Sequence, residues 1–176
     1  MRVINMVKYH LYPNIVNAFL YIFPNSKLTT RLRGKLFSLL FKKCGKNLQI
    51  ASGVIINMHR NIEIGDNVYI AHNVWLNGTG GLKIEDNVVV SPNVIIATTK
   101  HSRVDNMVSN TKSTNSPIKI GKGVWIAGNS TVSMGVKIED GCIVSANTLV
   151  NKDITQKNVL VGGVPGRIIK TLNDKD

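Results

Sequence analysis

Cysteine is almost missing from this chain, with Cys44 and Cys142 its only two. Two thiols cannot make a disulfide framework, and no metal-ligand spacing appears, so no metal is expected. The deficit suits a reducing, cytoplasmic compartment. Acidic residues are scarce as well, 10 against 22 Lys and Arg, which leaves a formal charge of +12. That imbalance points to an anionic partner, such as a phosphorylated cofactor or an acidic lipid surface; nucleic acid is set aside because no recognition motif accompanies the charge. Long apolar runs are absent too. The best of them, Ile15 to Phe23, is interrupted by Asn17, preceded by Pro13 and stopped by Pro24, far short of the ~20 residues a spanning helix needs. No small-residue cleavage site follows it, which argues against a signal peptide. What remains, 176 residues with 43% hydrophobic content, suits one globular domain with a real core.

What the chain has in abundance is a period of six. Between Ile118 and Asn151 a branched aliphatic residue returns at Ile120, Ile126, Val132, Ile138, Val144 and Val150. Neither an isolated helix nor an ordinary strand pair has that period; it belongs to a hexapeptide β-helix, in which short strands and tight corners wind into a prism. Three residues after the aliphatic positions come Gly123, Asn129, Gly135, Gly141 and Asn147, the residue types that enter left-handed φ/ψ at least cost, so the spacing encodes a corner. Two residues before them come Val124, Ser130, Val136, Cys142 and Thr148, which fit a narrow interior. Cys142 therefore reads as a small core residue rather than a nucleophile.

The same phase runs upstream. Ile64, Ile70 and Leu76 are followed at the corner position by Asn67, Asn73 and Thr79, and Ile84, Val90 and Ile96 by Asn87, Asn93 and Thr99; Ile50 and Ile56, with Gly53 between them, begin the series. Two interruptions break it, a two-residue slip at Gly78 to Gly81 and a polar excursion from Thr98 to Ser116. With three hexads per coil, Ile64 stacks under Ile84, Ile120 and Ile138 at a strand spacing of roughly 4.8 Å. The excursion then becomes a loop over 98–117 thrown out from one corner, a usual place for functional groups on a rigid scaffold.

Three segments follow: a helical one over 1–47, the β-helix over 48–154, and a turn with a short terminal helix over 155–176. In the first, a helix is expected after Thr29-Thr30 and before Gly45, with Leu32, Leu36, Leu39, Leu40 and Phe41 among Arg31, Arg33, Lys35, Lys42 and Lys43. Such a helix can cap the open end of the prism and can also lie against an anionic membrane surface at the inner face. In the last, Gly162 to Gly166 make a turn and Arg167 to Leu172 read as the helix. Along the prism, one outward column holds Glu63, Lys83, Lys119 and Lys137, and is plainly solvated. The second holds Tyr69, Val89, Trp125 and Ile143, the third Trp75, Ile95, Thr131 and Leu149. Two apolar faces exceed what a monomer exposes, which predicts three prisms packed about a threefold axis.

The hexads, the excursion beginning TTKHS, the segment SPIKIGKGVWIAGN and the ending VGGVPGRIIK resemble the hexapeptide-repeat acyltransferases, in the branch of galactoside, maltose and polysaccharide O-acetyltransferases and xenobiotic acetyltransferases. The resemblance covers about Ile50 to Leu172. It implies an all-β, left-handed parallel β-helix, a homotrimer with sites between subunits, acetyl-CoA as donor and a carbohydrate acceptor. By position, His101 matches the catalytic histidine and Trp125 the tryptophan flanking the cofactor. Gly128 and Ala146 match backbone contacts to the pantetheine arm, Asn151, Lys152, Arg167 and Lys170 the groups near the CoA phosphates, and Asn73 an acceptor-contacting asparagine. The chain departs from the sugar acetyltransferases in reading His-Ser-Arg where they often have His-Pro, and in lacking a visible acceptor-binding N-terminus. Its basic helical start resembles instead the acetyltransferases of capsule, exopolysaccharide or lipopolysaccharide pathways.

The chemistry expected of the loop histidine is general-base catalysis. A thioester is already activated, so an imidazole with an ordinary pKa of roughly 6.5 need only take a proton from the attacking hydroxyl. His101 is that base, a backbone N–H near Gly128 the oxyanion donor, and no acyl-enzyme is required. The orienting partner of His101 is not named by the sequence. An N-acetyltransferase of an amino sugar or xenobiotic would use the same parts and stands as the alternative. A carbonic anhydrase would need three histidines converging on zinc, and an ice-binding prism a flat polar ladder without a loop; neither pattern is here. His10, His59 and His72 are read as structural or surface residues.

Overall fold

The computed structural model describes residues 2–173; Met1 and the last three residues of the expected C-terminal segment lie outside them. A parallel β-helix forms because every sixth residue is apolar and every corner can turn left-handed. Its first coil consists of β1 (Lys43–Cys44), β2 (Gln49–Ile50) and β3 (Ile55–Asn57); its second of β4 (Ile62–Ile64), β5 (Tyr69–Ile70) and β6 (Trp75–Asn77). The third holds β7 (Leu82–Ile84), β8 (Val89–Val90) and β9 (Ile95–Ala97), after which β10 (Thr99–Val104) and β11 (Met107–Asn115) leave as an antiparallel arm. The fourth is β12 (Ile118–Ile120), β13 (Trp125–Ile126) and β14 (Thr131–Val132), the fifth β15 (Lys137–Ile138), β16 (Ile143–Val144) and β17 (Leu149–Val150). A partial sixth adds Ile154, bridged to Ile138, and β18 (Val159–Gly162), against which β19 (Arg167–Thr171) folds back.

The coils stack into three sheets, β1-β4-β7-β12-β15, β2-β5-β8-β13-β16-β18-β19 and β3-β6-β9-β14-β17, called here faces A, B and C. The registers are those expected: Ile64 pairs with Ile84, Ile84 with Ile120, and Ile120 with Ile138. Inside, Ile50, Ile70, Val90, Ile126 and Val144 are fully buried one above another. Asn67, Asn73, Asn87, Asn93, Asn129 and Asn147 all have φ between +57° and +60°. Their amides also stack from coil to coil, as where Asn93 Nδ2 donates to Asn129 Oδ1 at 3.1 Å. On face A, Lys83 and Lys119 both reach Glu85, at 2.9 and 3.5 Å, which accounts for its solvated column.

Four expectations need correction. Thr79 and Thr99 do not take the left-handed corner, since a β-branched side chain is strained there; Gly81 (φ +94°) turns the slipped corner and Thr99 opens the arm. A further slip lies between Ile56 and Ile64, where a 3₁₀ turn, His59–Asn61, follows Met58 at φ +56°. The helix expected after Thr29-Thr30 begins earlier and ends sooner. It is α3 (Lys27–Ser38), started by a reciprocal cap in which Thr29 N–H donates to Ser26 Oγ and Ser26 N–H to Thr29 Oγ1. Finally, Arg167–Thr171 is no helix but strand β19, because the open edge of β18 offers it ladder partners that an isolated five-residue helix would lack.

Before α3, a helix runs from α1 (Arg2–Met6) through a π turn (Val7–Leu11) into α2 (Tyr12–Tyr21). α3 lies on β2 so closely that a Cβ on Gly34 would sit 2.0 Å from the Leu48 carbonyl oxygen. Arg33, 1% exposed, donates to Ile50 O at 2.9 Å and Leu20 O at 3.0 Å, tying the first coil to the last turn of α2. The helices therefore do cap the open end.

Candidate active site

His101 stands on the arm rather than on a loose loop. Thr98 anchors the arm's root, donating from Oγ1 to Asn77 O at 2.7 Å and accepting from Gly80 N–H at 2.8 Å; Ser116 N–H closes the two feet on Thr98 O at 3.0 Å. A Cβ on Gly80 would meet both feet, 2.6 Å from Thr98 O and 2.8 Å from Ser116 N, so only glycine fits there. At the tip, Asp105 and Asn106 have φ of +49° and +64°, the pair of left-handed residues a two-residue hairpin needs.

Between root and tip the pairing slips. His101 faces Ser113 and Arg103 faces Val108, so two steps along β10 oppose five along β11. Opposite Ser102, residues 109–112 curl into a bulge held by Lys112 N–H and Thr111 N–H, which donate to Ser109 Oγ at 3.0 and 3.3 Å. Bulges re-aim groups beside them. Here the curl brings Ser109 O to 3.0 Å from His101 Nδ1. A carbonyl can only accept, so Nδ1 is the donor, and in the neutral form of this exposed ring Nε2 is the nitrogen with the free lone pair. The orienting partner is thus a backbone carbonyl, invisible in a sequence.

The other predicted residues fall into separate groups. Trp125 points out from face B, half exposed, its indole N–H donating to Ser91 Oγ at 2.8 Å. Gly128 and Ala146 occupy one column of the edge between faces B and C, on adjacent coils joined by Asn147 N–H to Gly128 O at 3.0 Å. Gly128 has no positive φ, and a Cβ there would sit 3.3 Å from Pro92 O, close enough that packing against the neighbouring coil favours a residue without a side chain. Arg167 and Lys170 pair with Gly162 and Leu160, and the register shift between them puts both on the side that Trp125 and Ile143 share. On a helix they would also have shared a side, which is why their grouping survives the corrected element. Asn151 and Lys152 sit on the edge between faces C and A, the edge from which the arm departs. Within one chain, therefore, His101, Asn151 and Lys152 lie one face away from Gly128 and Ala146.

Asn73 is a corner residue (φ +58°) stacked over Gly53, whose added Cβ would sit 2.4 Å from its Oδ1. The corner accounts for it, and an acceptor role is carried by the resemblance alone. Neither thiol is poised to attack: Cys44 is pushed up to about 11, by burial first and Asp66 second, and Cys142 is raised chiefly by burial. Among the described residues no group of His, Cys, Asp and Glu could hold a metal.

A cavity of about 280 Å³ opens between the N-terminal helix and the coils, lined by Tyr9, His10, Asn57, His59, Asn77 and Thr79 among others. Asn57, Asn77 and Ala97 are stacked partners on face C, and Thr98, the arm's root, follows Ala97. The cavity thus opens along the edge that carries His101. Two departures from regularity mark it, the left-handed Met58 and His59, whose buried Nε2 has no hydrogen-bond partner among the described residues. The eight-residue interval from Ile56 to Ile64 was the sequence signal for this insertion.

A family model described as the hexapeptide repeat of succinyl-transferase matches residues 117–152. The galactoside O-acetyltransferase of Escherichia coli K12 is 34% identical over 144 residues, 82% of this chain and 70% of that one. The crystal structure of a maltose O-acetyltransferase from Clostridium difficile 630 superposes with a TM-score of 0.80 at 27% identity, covering 96% of this chain and 89% of the other. A galactoside acetyltransferase in complex with coenzyme A gives 0.80 at 29%, covering 98% and 84%.

Proposed function

Since the chain belongs to the hexapeptide-repeat acetyltransferases of the galactoside and maltose O-acetyltransferase type, we propose that it moves an acetyl group from acetyl-CoA to a carbohydrate hydroxyl, in the making of a capsular, extracellular or lipopolysaccharide glycan. The observation that carries the reading is the His101 ring, with Nδ1–H committed to Ser109 O and Nε2 left to accept. Nε2 takes the hydroxyl proton as the oxygen bonds to the thioester carbonyl carbon. The carbonyl oxygen gathers negative charge, which a backbone N–H near Gly128 stabilises. Collapse then breaks the C–S bond, and the imidazolium returns its proton to the departing thiolate. Ser109 O steadies the imidazolium meanwhile, since its hydrogen bond strengthens as the ring becomes charged.

The acceptor enters the cavity below the arm, whose mixture of amide, imidazole and aromatic groups suits a sugar ring. Acetyl-CoA lies along the edge between faces B and C, its pantetheine arm passing Trp125, Gly128 and Ala146. Its phosphates meet Arg167 and Lys170, with Asn151 and Lys152 from the edge between faces C and A. Because those two edges are a face apart, the site closes between subunits of a homotrimer, one chain giving the arm and its neighbour the cofactor edge.

The test is release of CoA thiol over a panel of sugar hydroxyls and amines. His101→Ala should lower kcat on the best hydroxyl acceptor by about 10²- to 10⁴-fold. A near-native rate would remove His101 from the chemistry, and turnover of amines alone would replace the hydroxyl acceptor with an amino sugar or xenobiotic amine.

A further inference from the structure

The positive charge of this protein is confined to one end. Residues 1–62 hold ten Lys and Arg and no Asp or Glu, whereas residues 63–176 hold twelve basic and ten acidic ones. The same end carries an apolar stripe. Val3, Val7, Leu11, Ile15, Phe19 and Phe23 recur at four-residue intervals along α1, the π turn and α2 and just beyond, and each is between 41% and 68% exposed. Neighbours four apart lie on one side of a helix, so this is a continuous row, while Val16 and Leu20 face the core. On α3 a second outward strip sets Arg31 and Lys35 among Leu28, Leu32 and Leu39. Leu39 shares a cleft of about 390 Å³ with Val3, Ile4, Val7 and Tyr12, which joins the two strips into one patch.

Charge decides what can cover this patch. A second copy meeting it face to face would set two acid-free, basic surfaces against each other. Much of the acid on the prism is already engaged: Glu63 pairs with Lys42, Glu85 with Lys83 and Lys119, Asp86 with Lys122 and Asp140 with Lys157. No helix among the described residues is long and apolar enough to cross a membrane. An apolar helix side bordered by Lys and Arg without acid fits the boundary between headgroups and acyl chains of an anionic bilayer. We propose that the N-terminal helices dock this enzyme on an anionic lipid surface, the row from Val3 to Phe23 entering the acyl boundary and Lys27, Arg31 and Lys35 meeting the headgroups. The docking uses none of the residues assigned to acetyl transfer.

Flotation of the full-length protein with vesicles tests it. The protein should rise with phosphatidylcholine vesicles containing phosphatidylglycerol, remain below with phosphatidylcholine alone, and bind less as salt is added. Ile15→Ser with Phe19→Ser should keep the thermal midpoint and abolish flotation. Lys27→Gln, Arg31→Gln and Lys35→Gln together should weaken vesicle affinity by on the order of 100-fold, about fivefold for each charge. Absence of wild-type flotation, equal binding to neutral vesicles, or unchanged flotation of the Ile15/Phe19 variant would overturn the proposal. So would an Ile15/Phe19 variant whose only change is a smaller oligomer, because the patch would then belong between copies of the chain.

Discussion

His101 and His59 are the same side chain in opposite surroundings, and the contrast sets what each can do. His101 is exposed, with one nitrogen held by a backbone carbonyl and no hydrogen bond to the other among the described residues. His59 is 4% exposed, its ring 5.8 Å from that of Phe37 and 5.9 Å from that of Phe41. Burial first, and the charge of His10 second, push its pKa down to about 4. The unfolded chain would bind that proton near pH 6.5, so the folded state gains stability above that pH and loses it as the pH falls toward 4. Across that window the loss attributable to His59 should be about 2–3 kcal/mol, after some allowance for solvent screening. His59→Phe, which keeps an aromatic ring beside Phe37 and Phe41, should flatten this limb in denaturant melts at pH 7 and pH 4.5. An unchanged pH dependence would assign the acid sensitivity to other groups. At this scale the sequence shows His101 by its place in the excursion, but not Ser109, since a carbonyl is common to every residue type and only the bulge aims this one.

The elements of the prism were legible because each hexad position has its own chemical requirement. Asn and Gly mark the left-handed corners, and all but Thr79 and Thr99 of the predicted corner residues have positive φ. The arm was legible only as an extruded loop; that it is a paired hairpin turning at Asp105-Asn106 between Val104 and Met107 was not read. What could not be read was set by tertiary partners. RIIKT has no period long enough to choose helix or strand, and β18 chooses for it. Arg33 looked like one of several surface cations, yet it is the link between helices and coils. Its pKa is lowered by burial, the cost of keeping a cation away from water, and its fork returns that cost by serving the Leu20 and Ile50 carbonyls together. Arg33→Met relieves the buried charge but leaves both acceptors unsatisfied, at about 1–3 kcal/mol each. The balance should be a loss of about 2 kcal/mol, seen as a thermal midpoint 4–8 °C lower. Arg33→Lys should not restore it, because one ammonium cannot reproduce the fork. A midpoint equal to wild type in Arg33→Met would mean that the cap is held by Gly34 packing and the Phe37–Leu40 core alone.

For the whole molecule, the placement of the edges makes a claim that neither residue nor element can test. Faces B and C both present apolar columns, with Val89, Trp125, Ile55 and Ile95 exposed along them, whereas face A is covered by ion pairs. A triangular rod with two such faces can close a ring of three, each copy giving one face and receiving another. His101 leaves from the edge between C and A and Gly128 lies on the edge between B and C; a ring in which the arm of one copy crosses face B of the next would bring it to that copy's proposed cofactor edge. Two defective chains can then repair each other. His101→Ala lacks the proposed base but keeps the proposed cofactor edge, and Gly128→Trp blocks that edge but keeps the base. Each alone should be inactive. Co-expressed in equal amounts and assembled at random, about one site in four would draw its arm from the Gly128→Trp chain and its edge from the His101→Ala chain. Recovery near a quarter of wild-type turnover in the mixed preparation, with sedimentation at three times the chain mass, is the expected result. No recovery from a mixed trimer would put the base and the cofactor edge in the same chain, and the arm would then have to fold back across face C over the exposed Ile95.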